Sequence, residues 1–237
     1  MYRLYHYPLC PFSRTTRLVM TEKSLSFTLT SENFWEKREA FIKMNKSGSV
    51  PFLIKKASEE EINDGKNHLL LSGINAIVEY LDEKHENNPI YSGTAEDKAE
   101  IRRIVDWVNV KFYNEVVSYI LNEKVIIFFK NKDIPDTSIL HIAVQNLFVH
   151  IDYFGYLLSK RGWIASNKIS IADLTLAAHI SVLDYLGMIN WAKMSSGNKE
   201  TFREWYRIMK SRPSFRSILQ DSVAGFAASN SYRDLDF

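Results

Sequence analysis

Short runs of aliphatic and aromatic residues alternate with segments of helical spacing over the first 85 residues. The runs have the composition of strands and cover residues 2–7, 25–29, 50–54 and 68–71. Apolar residues recur at steps of three and four in the segments that follow, which predicts helices over residues 11–22, 34–44 and 74–81. The dipeptide Asp64-Gly65 predicts a hairpin turn. The order βαβα followed by ββα predicts a mixed sheet covered by helices.

The remainder of the chain has a helical pattern. Apolar residues recur at steps of three and four from Thr94 to about Phe129, which predicts a long helix that either is continuous or breaks near Asn122. A second helix is predicted to begin at Pro135. Ser170 and Asp173 have the spacing of a capping box, which predicts a structural role at the start of a third, buried helix.

These patterns predict two domains of different class. A polar, proline-containing stretch between them predicts a linker. We therefore expect an α/β domain over residues 1–85, a linker over 86–93, an all-helical domain over 94–221 and a C-terminal tail over 222–237.

A basic face is predicted on the helix that precedes the tail. Its cations are Arg203, Arg207 and Lys210, and a further cation, Arg216, follows the helix. Only Glu200 and Glu204 oppose them. Such a face is either simply solvated or binds an acidic partner, and the sequence leaves both alternatives open.

The tail has the pattern of a docking peptide. Residues 222–231 are rich in small side chains and lack a period, and the chain then closes with aromatic and apolar residues between aspartates. This pattern predicts a flexible segment that binds a partner through Leu235 and Phe237.

Composition and sequence patterns argue against several classes of function and site. The formal charge of +2 over 237 residues does not favour nucleic-acid binding. No run reaches the roughly 18 apolar residues of a membrane span, and the N-terminus lacks the pattern of a signal peptide, so we expect a cytoplasmic protein. The six histidines do not cluster with carboxylates, so we expect no metal site. A single cysteine excludes an internal disulfide.

That cysteine lies at the junction between the first strand and the first helix. Pro11 suits the first helical position, which makes Cys10 the predicted N-cap. A thiolate there would face the positive end of the helix dipole, and its pKa would fall. Ser13 stands where a second redox cysteine would, which leaves only monothiol chemistry. The alternative is that Cys10 is a small buried apolar residue.

The Cys10-Pro11-Phe12-Ser13 run, together with Gly48-Ser49-Val50-Pro51, resembles the thioredoxin-like domain of cytosolic glutathione transferases. The resemblance implies that glutathione is the co-substrate and that the Cys10 sulfur forms a mixed disulfide with it. It also implies a glutathione site made by Phe12, Val50, Pro51 and Ser72, and a homodimer. Tyr5 and Tyr7 could in principle supply the activating hydroxyl of the tyrosine-type members, although alternating strand tyrosines more often serve packing. Ser13 and Tyr7 are the catalytic candidates ranked after Cys10. Leu71 departs from the pattern, because these enzymes usually have an acidic residue there.

Further runs resemble a bacterial subgroup of the same family, whose best-known member is a division protein that associates with the GTPase FtsZ. These runs are residues 35–41, 111–116, 183–187, 211–215 and 234–237. The resemblance implies that FtsZ, or another division protein, is a partner.

Two functions therefore remain open. As an enzyme, the protein would use Cys10 as a thiol nucleophile beside an apolar acceptor site bordered by Trp107, Asn109 and Phe112. As a scaffold, it would keep the dimeric fold of the family without its catalytic activity, and it would bind FtsZ through the basic face and the tail.

Overall fold

The computed structural model describes residues 1–58, 62, 67–131 and 134–237. The chain forms two compact units, Met1–Pro89 and Ile90–Phe237. The turn predicted at Asp64-Gly65 lies outside the described residues.

The first unit contains a mixed four-stranded sheet. Its strands are β1 (Tyr2–His6), β2 (Phe27–Ser31), β3 (Phe52–Lys55) and β4 (Leu69–Ser72), in the order β2-β1-β3-β4. β1 pairs in parallel with β2, and the other pairs are antiparallel. Leu4 lies opposite Leu29 and Leu53 in this register, and its side chain is fully buried. The predicted mixed sheet is confirmed.

The helices that accompany the sheet in the described residues include α1 (Pro11–Glu22), α2 (Glu39–Met44) and α3 (Ile74–Lys84). α1 and α3 pack against each other. The helix predicted over 34–44 is not continuous. It consists of a 3₁₀ turn (Phe34–Glu36) and then α2, because Lys37 adopts the left-handed conformation with φ 48° and ends the turn.

The second unit is helical. α4 (Ala95–Asp106) continues through a π-helical segment (Trp107–Val117), α5 (Ser118–Leu121), a second π-helical segment (Asn122–Ile126) and α6 (Ile127–Asn131). The chain does not break at the predicted position, because the backbone around Asn122 stays right-handed helical and only the hydrogen-bond spacing changes. The later helices are α7 (Thr137–Arg161), α8 (Ile171–Tyr185), α9 (Gly197–Ser211) and α10 (Arg216–Leu219).

The core of this unit is α8, which is buried along its whole length. The predicted capping box begins it: Asp173 Oδ2 accepts the Ser170 N–H at 3.0 Å, and the Ser170 hydroxyl accepts the Ala172 N–H at 3.3 Å. The other Asp173 oxygen accepts the Ile164 N–H and the Trp205 indole N–H. The structural role predicted for Ser170 and Asp173 is therefore confirmed.

α7 and α9 approach each other closely at one glycine. A Cβ on Gly155 of α7 would lie 1.9 Å from the main-chain oxygen of Asn198 in α9. Only glycine fits this position, because the contact is with backbone and no side chain can move aside.

The segment 222–237 packs against the second unit, so the prediction of a flexible tail is wrong. Tyr232 is fully buried, and its hydroxyl donates to the Ile218 main-chain oxygen at 2.7 Å. The Ser229 N–H donates to the Tyr185 main-chain oxygen at 3.0 Å. No pattern within the tail indicates this packing, because the groups that bind the tail lie in α8, α9 and α10.

Helices that are both long and apolar enough to cross a membrane do not occur among the described residues.

Candidate functional site

The predicted junction at Cys10 is confirmed. Cys10 is the N-cap of α1, with extended backbone angles, and Pro11 is the first helical residue. The Cys10 Sγ lies 3.7 Å from the main-chain oxygen of Val50, to which the thiol donates. The Val50–Pro51 peptide bond is cis. The sulfur and the Val-Pro turn therefore meet inside the first unit.

Ser72 lies at the same edge of the sheet. It pairs with Phe52, the residue that follows Pro51. The prediction that Ser72 caps the next helix is wrong, because it is the last residue of β4 and the N-cap of α3 is Gly73. Gly73 has a φ of 90°, a backbone conformation that residues with a side chain rarely adopt. The exposed Ser72 hydroxyl nevertheless lies next to the N-terminus of α3, where an anion is stabilised.

Cys10 is a buried thiol. Its exposed fraction is 6%, and burial raises its pKa. Hydrogen bonds from Ser13 and the Phe12 N–H, and the charge of Arg14, oppose this effect but are smaller. The predicted fall in the Cys10 pKa is therefore wrong. The hydrogen bond to Val50 also requires the protonated sulfur.

We expect the rate of Cys10 alkylation by iodoacetamide to increase up to a pH above the pKa of a free cysteine. The physical reason is that burial disfavours the thiolate, the reactive form. The measurement is the rate of mass increase against pH, with N-acetylcysteine in the same buffers as the reference and Cys10→Ser as the unlabelled control. An apparent pKa below that of N-acetylcysteine would contradict the buried-thiol assignment.

The other residues near Cys10 are mostly packed. Ser13 is fully buried, and its hydroxyl accepts the Tyr7 N–H at 3.4 Å. The Tyr7 ring is buried and meets the Trp35 ring edge-on, with centroids 4.7 Å apart. Phe12 is half-buried. Leu71 pairs with Leu53 across β3 and β4, so the position of the usual acid carries an aliphatic side chain.

The predicted acceptor-site residues lie on the first π-helical segment of the second unit. Phe112 is fully buried and packs against Phe154, so it is a core residue and cannot border an open site. Trp107 is half-buried, and its indole N–H donates to His150 Nδ1 at 3.1 Å. The side-chain amide of Asn109 is buried and has no hydrogen-bond partner among the described residues.

His150 is a residue that the sequence patterns did not single out. Because its Nδ1 accepts from Trp107, its Nε2 donates to Glu115 Oε2 at 2.9 Å, and the ring links the two helices. Burial lowers the pKa of His150, which favours this neutral form. No local signal marks this bridge, since Glu115 and His150 are far apart in the sequence.

The basic face binds the tail of the same chain. The Arg203 Nε donates to the main-chain oxygen of Phe237 at 2.9 Å. The Arg207 guanidinium contacts Asp236 Oδ1 at 2.8 Å and the Leu235 main-chain oxygen at 3.2 Å. These two arginines are therefore not a free cationic surface, and that part of the prediction is wrong.

Lys210 is buried and forms an ion pair with Asp184. The side chains of both residues are inaccessible to solvent, and their charged atoms are 3.3 Å apart. The Lys210 ammonium also donates to the main-chain oxygens of Ser231 and Asp234, at 2.6 and 2.7 Å, and lies 4.0 Å from the centre of the Phe237 ring. The prediction that Lys210 belongs to an exposed face is wrong, because the ammonium points into the protein and binds the tail.

Two predicted partner-binding residues remain accessible. Arg216 is exposed and has no ion-pair or hydrogen-bond partner in the described part of the chain. Leu235 is 43% exposed although its main-chain oxygen binds Arg207. The tail contacts α10 through Tyr232 and Arg233.

Comparison with known proteins identifies relatives along the whole chain. Residues 4–89 match the family model described as the glutathione S-transferase N-terminal domain. FtsZ-localized protein A of Caulobacter vibrioides is 35% identical over 234 residues, which cover 99% of this chain and 97% of that protein. Glutathione S-transferase 2 of Saccharomyces cerevisiae is 25% identical over 232 residues, which cover 92% and 89%.

Solved structures give the same result. FzlA from C. crescentus superimposes with a TM-score of 0.92 and 34% identity, covering 100% of this chain and 99% of that one. A glutathione S-transferase from Rhodospirillum rubrum F11 superimposes with a TM-score of 0.90 and 33% identity, covering both chains completely.

Proposed function

The chain belongs to the glutathione S-transferase superfamily, in the subgroup that includes FtsZ-localized protein A, and we propose that it associates with FtsZ and does not carry out thiol chemistry. The observation that carries the proposal is the match to that relative over both units and the tail. An FtsZ partner works in the cytoplasm, which is therefore the location we propose.

The state of Cys10 supports the second half of this proposal. A thiol nucleophile must form a thiolate at neutral pH. The buried Cys10 sulfur instead donates to Val50, and its pKa is raised. Leu71 offers no carboxylate to the amino group of glutathione, so binding of that co-substrate would lose a charged contact.

We place the FtsZ contact on the exposed side chains of Arg216, in α10, and Leu235, in the tail. Arg216 supplies a cation with no partner within the described residues, and Leu235 supplies an exposed apolar side chain in the tail. Arginine is enriched in protein-protein contacts, and apolar side chains supply their buried core. Arg203 and Arg207 stabilise the tail and act only indirectly.

The unmodified protein is expected to pellet with polymerised FtsZ of the same bacterium. Arg216→Glu and Leu235→Asp should each reduce the pelleted fraction about fivefold. The first variant reverses the charge of the cation, and the second places a carboxylate in the apolar part of the contact. The control is Lys168→Glu, which reverses an exposed charge in the loop before α8 and should pellet normally. Failure of the unmodified protein to pellet would contradict the proposal.

We also propose a homodimer. α7 exposes an apolar stripe at seven-residue steps, made of Ile142, Val149 and Tyr156, which are 54%, 71% and 49% exposed. Such a stripe is typical of a helix that packs against a second chain. Light scattering that gives the mass of one chain at micromolar concentration would contradict it.

A glutathione-dependent enzyme is the second candidate. The observation in its favour is that Cys10, the Val50–Pro51 turn and Ser72 meet at one edge of the sheet, as a glutathione site would require. Here Cys10 would form the mixed disulfide with glutathione. The alkylation profile of Cys10 separates the two candidates, since an enzyme needs a thiol that ionises readily.

A further inference from the structure

A cavity opens in the second unit between the end of α7 and one face of α9. Its volume is about 450 Å³. This is within the range of small-ligand sites, about 300–1,000 Å³. The walls that matter here are apolar and aromatic side chains and two carboxylates: Leu158, Trp163, Trp205, Ile208, Glu200 and Glu204. None of them belongs to the Cys10 site or to the surface of Arg216 and Leu235.

The carboxylates of the cavity differ in their partners. Glu204 forms an ion pair with Arg207, with atoms 3.0 Å apart. Glu200 lies one helical turn earlier on the same face, and its carboxylate has no ion-pair or hydrogen-bond partner among the described residues. A negative charge is therefore left uncompensated at the edge of an apolar cavity.

The basic residues nearest in sequence to the cavity already have partners. Arg161 contacts Glu100 at 2.6 Å. Lys160 lies over the Tyr156 ring and Lys199 over the Phe148 ring, at 5.9 and 5.4 Å from the ring centres. Arg207 is bound by Glu204 and Asp236, and Arg203, which lies between the two carboxylates in the sequence, donates to the Phe237 main-chain oxygen. None of these cations contacts Glu200.

The end of α7 adds to the negative potential. α7 has 25 residues, and Gly162, its C-cap, lines the cavity. The free carbonyls of a helix C-terminus carry partial negative charge. Nothing lies within 4 Å of the place where a Gly162 side chain would be, so a ligand can approach the backbone there.

Two indoles complete the cavity. Trp163 is half-buried and is the first residue after the C-cap of α7. Trp205 is buried, and its indole N–H donates to Asp173, which fixes the orientation of the ring. The face of an indole attracts a cation, more strongly than that of any other aromatic side chain.

We propose that this cavity binds a small organic cation, a quaternary ammonium group on a short apolar body. The indole rings and the aliphatic walls contact the alkyl groups, and the Glu200 carboxylate and the end of α7 stabilise the charge. An anion is excluded by the same charges. A neutral molecule of the same shape gains only the apolar contacts.

Choline is the probe that tests the proposal, because 3,3-dimethyl-1-butanol has the same shape with carbon in place of the charged nitrogen. Each is titrated into the ¹⁵N-labelled full chain, and the indole N–H signal of Trp163 is followed, assigned by its loss in Trp163→Phe. Choline should give a saturable shift in the millimolar range, and the neutral alcohol should bind about tenfold more weakly. Equal affinities, or no saturable shift with choline, would overturn the proposal.

The charge requirement is tested by Glu200→Gln, which should weaken choline binding about threefold to fivefold. Glu200 is exposed, so this variant is expected to fold. Its matched control is Asp106→Asn, an exposed carboxylate on α4, which should leave binding unchanged. Unchanged affinity in Glu200→Gln would overturn the proposal. So would binding of N-acetyl-lysine methylamide without binding of choline, since it would assign the cavity to a side chain of a partner protein.

Discussion

Replacing Lys210 by methionine is expected to lower the free energy of unfolding by about 3–5 kcal/mol, the cost of removing one partner of a buried ion pair. Both side chains of the Lys210–Asp184 pair are inaccessible to solvent, so water cannot replace the lost ammonium. The variant also leaves the main-chain oxygens of Ser231 and Asp234 without their donor. Urea unfolding of the full chain measures the effect.

The control for this prediction is Lys193→Met. Lys193 is exposed in the short 3₁₀ turn Trp191–Lys193, and its replacement should change the free energy of unfolding by less than about 0.5 kcal/mol. Hydrogen exchange gives a second readout, because the amides of residues 229–237 should exchange faster in Lys210→Met. A loss below about 1 kcal/mol, the value of an exposed ion pair, would contradict the structural role of Lys210.

Asp173→Ala is expected to lower the free energy of unfolding by about 4 kcal/mol, because it leaves buried donors without an acceptor. The donors are the main-chain N–H groups of Ile164 and Ser170, the Ser170 hydroxyl and the Trp205 indole N–H. Asp173→Asn should cost less, since its remaining oxygen can still accept from Ile164 and Trp205. Urea unfolding at neutral pH compares the variants.

The chain contains a matched control for this capping box. Thr94 and Asp97 form the same motif at the start of α4, where it is exposed. Asp97→Ala should cost only about 1 kcal/mol, because water can replace the lost acceptor. Equal losses in Asp97→Ala and Asp173→Ala would show that burial does not determine the cost of losing the acceptor.

Asp173 also makes the stability depend on pH, with a sign that follows from its burial. Burial raises its pKa to about 6, although four hydrogen bonds oppose the effect. The unfolded chain has the ordinary value of about 3.9, so between about pH 4 and 6 the folded state binds more protons. The contribution of Asp173 to stability therefore decreases as pH rises through this window. The difference in the free energy of unfolding between the unmodified protein and Asp173→Ala should fall accordingly, while His6 and His179, whose pKa values burial lowers to about 4, give a slope of the opposite sign in both proteins.

Features that depend on adjacent residues could be predicted from the sequence. Pro11 after Cys10 predicted the N-cap, because proline lacks the N–H that the first helical turn leaves free. The Ser170 and Asp173 spacing predicted the capping box for a similar reason. The strands of the first unit followed from short apolar runs. In each case the physical cause lies within a few residues.

Features that depend on burial could not be predicted in the same way. The helix dipole favoured a Cys10 thiolate, but desolvation is the larger effect, and it depends on packing of the whole unit. The docked tail could not be predicted because its contacts are distant in sequence: Ser231 donates to Asp184, which is 47 positions away. Small side chains also have no spacing pattern that indicates which residues they contact. The spacing of the basic residues correctly placed them on one helix, but it did not indicate that Arg203, Arg207 and Lys210 bind the tail of the same chain.

The docked tail changes which surface can meet a partner. Its position leaves Arg216 and Leu235 accessible, while Arg203 and Lys210 bind the tail. Partner binding at this surface would require an intact Lys210–Asp184 pair. A loss of FtsZ association in Lys210→Met would then have a structural cause.

Association with FtsZ should be independent of the Cys10 thiol, and the decisive experiment is sedimentation of Cys10→Ser with polymerised FtsZ. We expect this variant to pellet to the same extent as the unmodified protein, both with and without millimolar glutathione. If the unmodified protein pellets and Cys10→Ser does not, while the variant remains folded by circular dichroism, then the thiol is required and the proposed scaffold function is wrong.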